Sequence, residues 1–100
     1  MYGMTGKLTT QPGRRKEFVG ILLQAAQGVA SLPGCRMYAV TEDVSDETTI
    51  WVMEIWDNKE AHDDSLKQDD VRALIAQAMP LIDGKPEGAE LRIIGGHGIP

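Results

Sequence analysis

The sequence lacks the features that identify disulfide-bonded, membrane-spanning and secreted proteins. It contains a single cysteine, Cys35, so no disulfide forms within the chain, which is typical of a reducing compartment. No apolar run approaches the ~18 residues that a membrane-spanning helix needs, and the N-terminal residues lack the apolar stretch of a signal peptide. We therefore expect a cytoplasmic protein with no membrane partner.

Basic residues are also scarce. Ten Lys and Arg residues stand against fifteen Asp and Glu residues, which gives a formal net charge of −5. The one basic cluster, residues 14–16, falls in a first helical turn and is typical of a solvated helix end. Because phosphate binding needs a basic face, the composition argues against nucleic acid as a partner.

Residues with metal or nucleophilic chemistry are few and scattered. His62 and His97 are the only histidines, and they have no close ligand spacing with Cys35, so we expect no metal site. There is no G-x-S-x-G turn for a nucleophilic serine. The glycine-rich residues 95–98 follow a strand with no helix after it, which excludes the dinucleotide-binding fingerprint.

What the sequence does have is a regular alternation of strand and helix patterns within one domain, residues 1–100. The predicted elements, in chain order, are a strand over 2–10, a helix over 13–32 that begins near Pro12, strands over 35–43 and 48–57, a short helix over 58–66, a second helical run over 69–82, and a strand over 89–97. This β-α-β-β-α-β order predicts a ferredoxin-like α+β sandwich, an antiparallel four-stranded sheet with helices on one face.

The strand over 48–57 is apolar on both of its faces. Trp51 and Met53 point one way, whereas Val52 and Trp56 point the other way. A sheet with helices on one face should leave its other face polar, and monomers seldom expose a patch with an indole. The pattern therefore predicts a homodimer packed through the sheet faces, which would also enlarge a small core.

The aromatic side chains near the end of this strand are the first candidates for a binding site. Trp56 is either a plug under the split second helix or one wall of an apolar pocket between sheet and helices. Trp51 is expected in the dimer core or in the layer between sheet and helices. His62 follows on the short helix, either as a packing residue or as a proton-transferring group above the pocket.

Glu54 is the least expected residue of this strand. A carboxylate inside the run "WVMEIW" is costly to bury without a partner. Arg36 or Arg92 on a neighbouring strand could pair with it. Otherwise Glu54 is a pocket carboxylate with a raised pKa.

Two segments together resemble the antibiotic biosynthesis monooxygenase family. They are "LPGCRMYAV" after the first helix and "EIWDNKEAHDDSLKQDDVRALIAQAMPLI", with its E-x-W-x-x-x-x-A-x-x-x-x-L pattern. The resemblance covers nearly all of the chain. It implies a ferredoxin-like protomer that dimerises through its sheets into a dimeric α+β barrel. It also implies oxidation of an aromatic hydroquinone or anthrone with molecular oxygen, without metal or flavin.

Under this resemblance, the family implies roles for six residues. Trp56 would be a wall of the pocket, His62 or Glu54 the proton acceptor, and Tyr38 or Arg36 a partner of the substrate oxygen, with Trp51 as a further substrate contact. One departure matters, because many relatives carry a histidine four residues after the helix alanine. Here Ser65 follows Ala61 at that distance, so a role borrowed from that histidine does not transfer to His62. The haem-degrading branch is excluded on similar grounds.

Three hypotheses for function follow. The first is a cofactor-independent monooxygenase acting on a small aromatic, quinol-like or anthrone-like substrate. The second is a non-catalytic dimeric module that binds a small apolar ligand, and the third is a structural dimer whose pocket is filled by its own side chains. A titratable group aimed into a cavity separates the first from the second, and an open cavity separates both from the third.

Overall fold

The computed structural model describes residues 1–99, and its elements follow the predicted order. They are β1 (Tyr2–Thr9), α1 (Arg15–Ala30), β2 (Cys35–Glu42), β3 (Thr49–Trp56), α2 (Lys59–Ser65), α3 (Asp69–Ala78), a 3₁₀ turn (Met79–Leu81) and β4 (Glu87–Arg92). The four strands form one antiparallel sheet in the order β2-β3-β1-β4. The chain is therefore an α+β protein with the predicted ferredoxin-like topology.

Two predicted boundaries were wrong. The first helix begins at Arg15 rather than near Pro12, because Gly13 adopts a φ of 77° that a right-handed helix does not accept. The last strand is Glu87–Arg92 rather than 89–97. Its residues pair with β1 from Lys7 to Tyr2, so β1 offers no further strand residue for the chain beyond Arg92.

The core lies between the inner face of the sheet and the helices. Apolar residues recur at three- and four-residue steps along α1 and form one buried stripe, Phe18, Ile21, Ala25 and Val29. On β3, Ile50 and Val52 face this stripe and are themselves buried. Burying side chains of this size stabilises the fold by roughly 1.5–3 kcal/mol each. The packing fixes β3 against α1, and it thereby sets which side chains of β3 reach the helical layer.

A close contact joins the turn before β2 to α2. Gly34 adopts a φ of 86°, and a Cβ atom there would lie 2.8 Å from the Cβ of Ala61. Only glycine meets both conditions without strain. The backbone amide of Asp57 also donates to the carbonyl of Gly34 at 2.9 Å. The two sequence segments that carry the family resemblance therefore meet here.

The second helix is split as predicted. Asn58 caps α2, since its side chain accepts a hydrogen bond from the amide of Ala61 at 2.8 Å. After the break, Asp69 and Asp70 stand in the first turn of α3, where carboxylates favour the helix dipole. In the described chain, no helix is long and apolar enough to pass through a membrane.

Candidate functional site

An apolar cavity of about 210 Å³ lies between α1, α3 and the inner face of the sheet. Its lining residues are Leu8, Phe18, Ile21, Leu22, Ala25, Val29, Tyr38, Glu54, Ser65, Leu66, Val71, Leu74, Ile75, Ala78, Met79, Ile82 and Pro86. Tyr38, Glu54 and Ser65 supply the polar side chains of this lining, and Glu54 supplies its carboxylate. The cavity thus combines an apolar interior with one acid group, as small-molecule sites commonly do.

Glu54 stands on the inner face of β3, with 13% of its side chain exposed. Its carboxylate accepts a hydrogen bond from the indole N–H of Trp56 at 3.0 Å. Burial raises the pKa of Glu54 above its ordinary value, while the indole N–H and the imidazole of His62 act in the opposite direction. A carboxyl group with a raised pKa is better suited to accept a proton near neutral pH than an ordinary surface carboxylate is.

Tyr38 stands beside Glu54 in the sheet, because the two residues are register partners on β2 and β3. Burial, and next the charge of Glu54, raise the pKa of Tyr38 well above its usual range. The phenol therefore stays protonated at any physiological pH. It can donate a hydrogen bond into the cavity beside a carboxylate that accepts one.

His62 lies behind Glu54 rather than in the cavity lining. Its ring is buried, with Nε2 4.0 Å from Oε1 of Glu54 and Nδ1 3.0 Å from Oδ1 of Asp63. The first distance is too long for a hydrogen bond but short enough for the electrostatic effect of His62 on the Glu54 carboxylate. His62 therefore acts on Glu54 and does not face the cavity itself.

Tyr2 covers the other side of His62. The two ring centroids lie 5.6 Å apart, and the Tyr2 hydroxyl donates to Glu90 at 2.9 Å. Desolvation, and next the hydrogen bond to Glu90, raise the pKa of Tyr2 to about 12. This aromatic cover keeps the imidazole out of solvent and fixes its position behind Glu54.

Neither tryptophan lines the cavity, although the resemblance implies that both contact the substrate. Trp56 is completely buried and packs against Val29 and Val71, so it is the plug and not a cavity wall. Its indole affects the cavity only through the hydrogen bond that it donates to the Glu54 carboxylate. Trp51 lies on the outer face of the sheet, 39% exposed, where it donates to Asp43 at 3.0 Å. The alternation of β3 therefore keeps Trp51 away from the cavity.

The arginines predicted to neutralise Glu54 are placed elsewhere. Arg36 sits at a bulge where the β2–β3 register shifts, and its guanidinium pairs with Asp57 at 2.6 Å. It is half-exposed and does not line the cavity. Arg92 stands opposite Tyr2 on β4, at the far side of the sheet from β2. The pairing hypothesis was wrong, and Glu54 relies on Trp56 and His62 instead.

Sequence reasoning also missed several lining residues. Ser65 is buried in the cavity wall at the end of α2, although it was noted only as a departure from a family pattern. The sequence did not distinguish Leu66, Ile75 and Met79 as cavity residues, because an apolar helical residue shows the same pattern whether it faces the core or a cavity. Within residues 1–99, no group of three or more His, Cys, Asp or Glu side chains comes together that could hold a metal ion.

A family model described as antibiotic biosynthesis monooxygenase matches residues 1–77, which include β1 to β3, α2 and most of α3. The chain belongs to this family. The match contains the first of the two segments that carried the resemblance and most of the second, which runs over residues 54–82. A search of curated proteins gave no match.

Solved structures support the same assignment. A Chloroflexus aurantiacus J-10-fl protein, assigned as an antibiotic biosynthesis monooxygenase, is 40% identical, with a TM-score of 0.89 over 99% of this chain and 98% of that one. A similarly assigned Caulobacter crescentus CB15 protein is 27% identical, with a TM-score of 0.88 over 94% and 90%. SnoaB of Streptomyces nogalater, named a cofactor-independent oxygenase, is 13% identical, with a TM-score of 0.83 over 97% and 96%. At that identity SnoaB shares the fold alone.

Proposed function

We propose that this family member is a cofactor-independent monooxygenase that oxidises a small hydroquinol with O₂. The observation that carries the proposal is Glu54, a carboxyl group with a raised pKa in an otherwise apolar cavity. The monooxygenase-like family supports it, as does the name of SnoaB, a relative of the same fold. The resemblance implied either Glu54 or His62 as the proton acceptor, and we propose Glu54, because it lines the cavity and His62 does not.

The reaction begins with a proton transfer. The carboxylate of Glu54 takes the proton from a substrate hydroxyl, and the phenol of Tyr38 donates a hydrogen bond to the resulting oxyanion. His62 stabilises the ionised form of Glu54 before the transfer. The apolar lining excludes water, which strengthens each of these interactions.

The substrate then supplies the electrons. A hydroquinol with an unsubstituted ring carbon gives four electrons to O₂, and one oxygen atom forms a bond to that carbon while the other leaves as water. The organic product is a hydroxyquinone, so C₆H₆O₂ and O₂ give C₆H₄O₃ and H₂O. The proton held by Glu54 returns to the departing oxygen. No net proton is gained or lost.

Cavity size favours a substrate with one ring. An apolar cavity of ~150 Å³ holds a benzene molecule, and the cavity here measures about 210 Å³. Pockets for larger ligands commonly measure ~300–1,000 Å³. A single-ring hydroquinol therefore fits the protein better than a three-ring anthrone does.

We infer also that the protein is a homodimer joined through the outer face of the sheet. Trp51, Met53 and Leu91 are exposed on that face by 39%, 40% and 46%. A second copy would cover them. Met53→Lys places a charge in this surface, and we expect it to shift the protein to monomer in sedimentation velocity, with Leu23→Lys on the exposed side of α1 as the control. A wild-type monomer at micromolar concentration would contradict the dimer. The cytoplasmic location stays a prediction.

Oxygen uptake tests the proposed function. The metal-stripped protein is offered a panel of single-ring hydroquinols and reduced naphthoquinols, and heat-denatured protein gives the autoxidation rate. We expect saturable uptake with one O₂ consumed per hydroxyquinone formed and without hydrogen peroxide. Peroxide formed in place of a hydroxylated product would contradict monooxygenation.

The apolar character of the cavity also favours a second candidate, a dimeric module that binds a small apolar ligand without changing it. An open cavity argues against the third hypothesis, since the chain's own side chains leave it unfilled. Tight binding of single-ring phenols, with no protein-dependent oxygen uptake across the panel, would favour the binding module over the enzyme.

A further inference from the structure

The lining of the cavity has two chemically different parts. Glu54 and Tyr38, which are partners in the sheet, form the part that would bind a substrate hydroxyl. Four other lining residues are exposed to solvent. These four, called the apolar mouth, are Leu66, Ile75, Met79 and Pro86.

The apolar mouth carries no charge and no polar side chain. Leu66, Ile75 and Met79 are 46%, 41% and 58% exposed, although surface positions of helices and turns are usually polar. They come from the joint between α2 and α3, from α3 itself and from the 3₁₀ turn after it. The exposed part of the cavity lining is thus apolar.

The size of the cavity decides what this mouth would contact. A single aromatic ring fills most of about 210 Å³. A ring whose hydroxyl reaches Glu54 leaves little room for a further substituent inside. A longer substituent must leave through the apolar mouth, where the side chains would remove an alkyl chain from water but would offer nothing to a charged or polar group.

We propose that the ligand of this cavity is a single-ring phenol or hydroquinol that carries an apolar chain, with the ring inside and the chain across Leu66, Ile75 and Met79. The redox part of this inference rests on the proposed function, whereas the binding part does not. The apolar chain of the ligand determines which phenols bind, whereas Glu54 and Tyr38 act on the ring hydroxyl.

A series of 4-alkylphenols tests the binding part by calorimetry, from 4-methylphenol to 4-hexylphenol. In the wild-type protein we expect the dissociation constant to fall about fourfold per added methylene, the value for burial of a CH₂ group. In the double variant Ile75→Gln with Met79→Gln, we expect 4-methylphenol to bind as in the wild type. In that variant, the change in the logarithm of the dissociation constant per added methylene should be less than about half of the wild-type change.

A matched control comes from α1. Leu23 is 50% exposed and does not line the cavity, so Leu23→Gln should leave both the short ligands and the gain per methylene unchanged. Equal gains in the wild type and the double variant would overturn the proposal, and so would weaker binding with longer chains or no binding of any phenol. A double variant that changes the oligomeric state but not the gain would assign the mouth to a second copy of the chain, and would overturn it too.

The same series separates this inference from the proposed function. Binding that follows chain length without oxygen uptake from the matching alkylhydroquinols would contradict the enzyme and keep the ligand class. Oxygen uptake whose kcat/KM ignores chain length would keep the enzyme and contradict the ligand class.

Discussion

The molecule contains two tryptophan–carboxylate pairs on opposite faces of one sheet. On the inner face, Trp56 donates to Glu54 at 3.0 Å, and on the outer face, Trp51 donates to Asp43 at 3.0 Å. The hydrogen bonds are alike, yet the pKa of Glu54 is raised and that of Asp43 is lowered. Burial is the leading cause for Glu54, whereas the hydrogen bond from Trp51 is the leading cause for Asp43.

The difference shows that the environment, not the hydrogen bond, makes a carboxylate into a base. Asp43 is solvated, so each donor only stabilises its charge. Glu54 has lost most of its water, and the indole N–H and His62 offset that loss only in part. The chemistry of this chain therefore depends on the burial of a carboxyl group next to a cavity.

The largest expected effect is on turnover. Glu54→Gln keeps the shape and the hydrogen bond from Trp56 but removes the proton acceptor, so kcat should fall about 10²–10⁴-fold. Asp43→Asn should change kcat by less than about twofold. Oxygen uptake with the best hydroquinol measures both, and binding of 4-methylphenol checks that the cavity of the Gln variant is intact. Equal loss in the two variants would remove Glu54 from its role.

A smaller effect is expected on stability. Trp56→Phe leaves a gap in a completely buried site and deprives Glu54 of its donor, which should lower the free energy of unfolding by about 2 kcal/mol or more. Trp51→Phe removes a donor that solvent can replace, and it should cost less than about 1 kcal/mol. Urea unfolding at one low protein concentration compares the two variants. A larger loss for Trp51→Phe would mean that the outer face carries more of the stability than the inner face.

The smallest effects are the pH slopes of stability, which should have opposite signs. The folded chain raises the pKa of Glu54. The contribution of Glu54 to the free energy of unfolding is therefore greatest below about pH 4, where free glutamate is protonated, and it is lost as pH rises through the folded pKa. Glu54→Gln should therefore gain stability relative to the wild type as pH rises. The folded chain lowers the pKa of Asp43, so its contribution is lost as pH falls, and Asp43→Asn should lose relative to the wild type as pH rises. Parallel slopes in urea unfolding between pH 3 and 8 would refute the comparison.

The sequence carried the information for the fold because each element has a local signal. The apolar stripe of α1, the period-two pattern of β3 and the cap at Asn58 are all encoded within a few residues. The end of β4 was placed wrongly because it depends on where its antiparallel partner β1 begins, which no local pattern reports. Pro12 was likewise assigned to a helix, since the positive φ of Gly13 is a property of the turn and not of the residue type alone.

The site was predicted less well, for a physical reason. Glu54 stood out because a carboxylate in an apolar strand is costly, and its place beside a pocket was one of the two alternatives. Its partners could not be read from the chain, because Trp56 reaches it along β3 whereas His62 arrives from α2 through the packing of the two elements. The mouth residues Leu66 and Met79 gave no signal, since apolar helical positions look alike whether they face a core, a cavity or solvent.

A carbon-13 NMR titration of the side-chain carboxyl groups tests the central claim most directly, because one sample reports Glu54 and Asp43 together. The variants Glu54→Gln and Asp43→Asn assign the two signals. We predict that Glu54 titrates above the ordinary range for glutamate and Asp43 below that for aspartate. A Glu54 signal that titrates at or below the ordinary value would contradict the account, since the cavity would then hold no base distinct from a surface carboxylate.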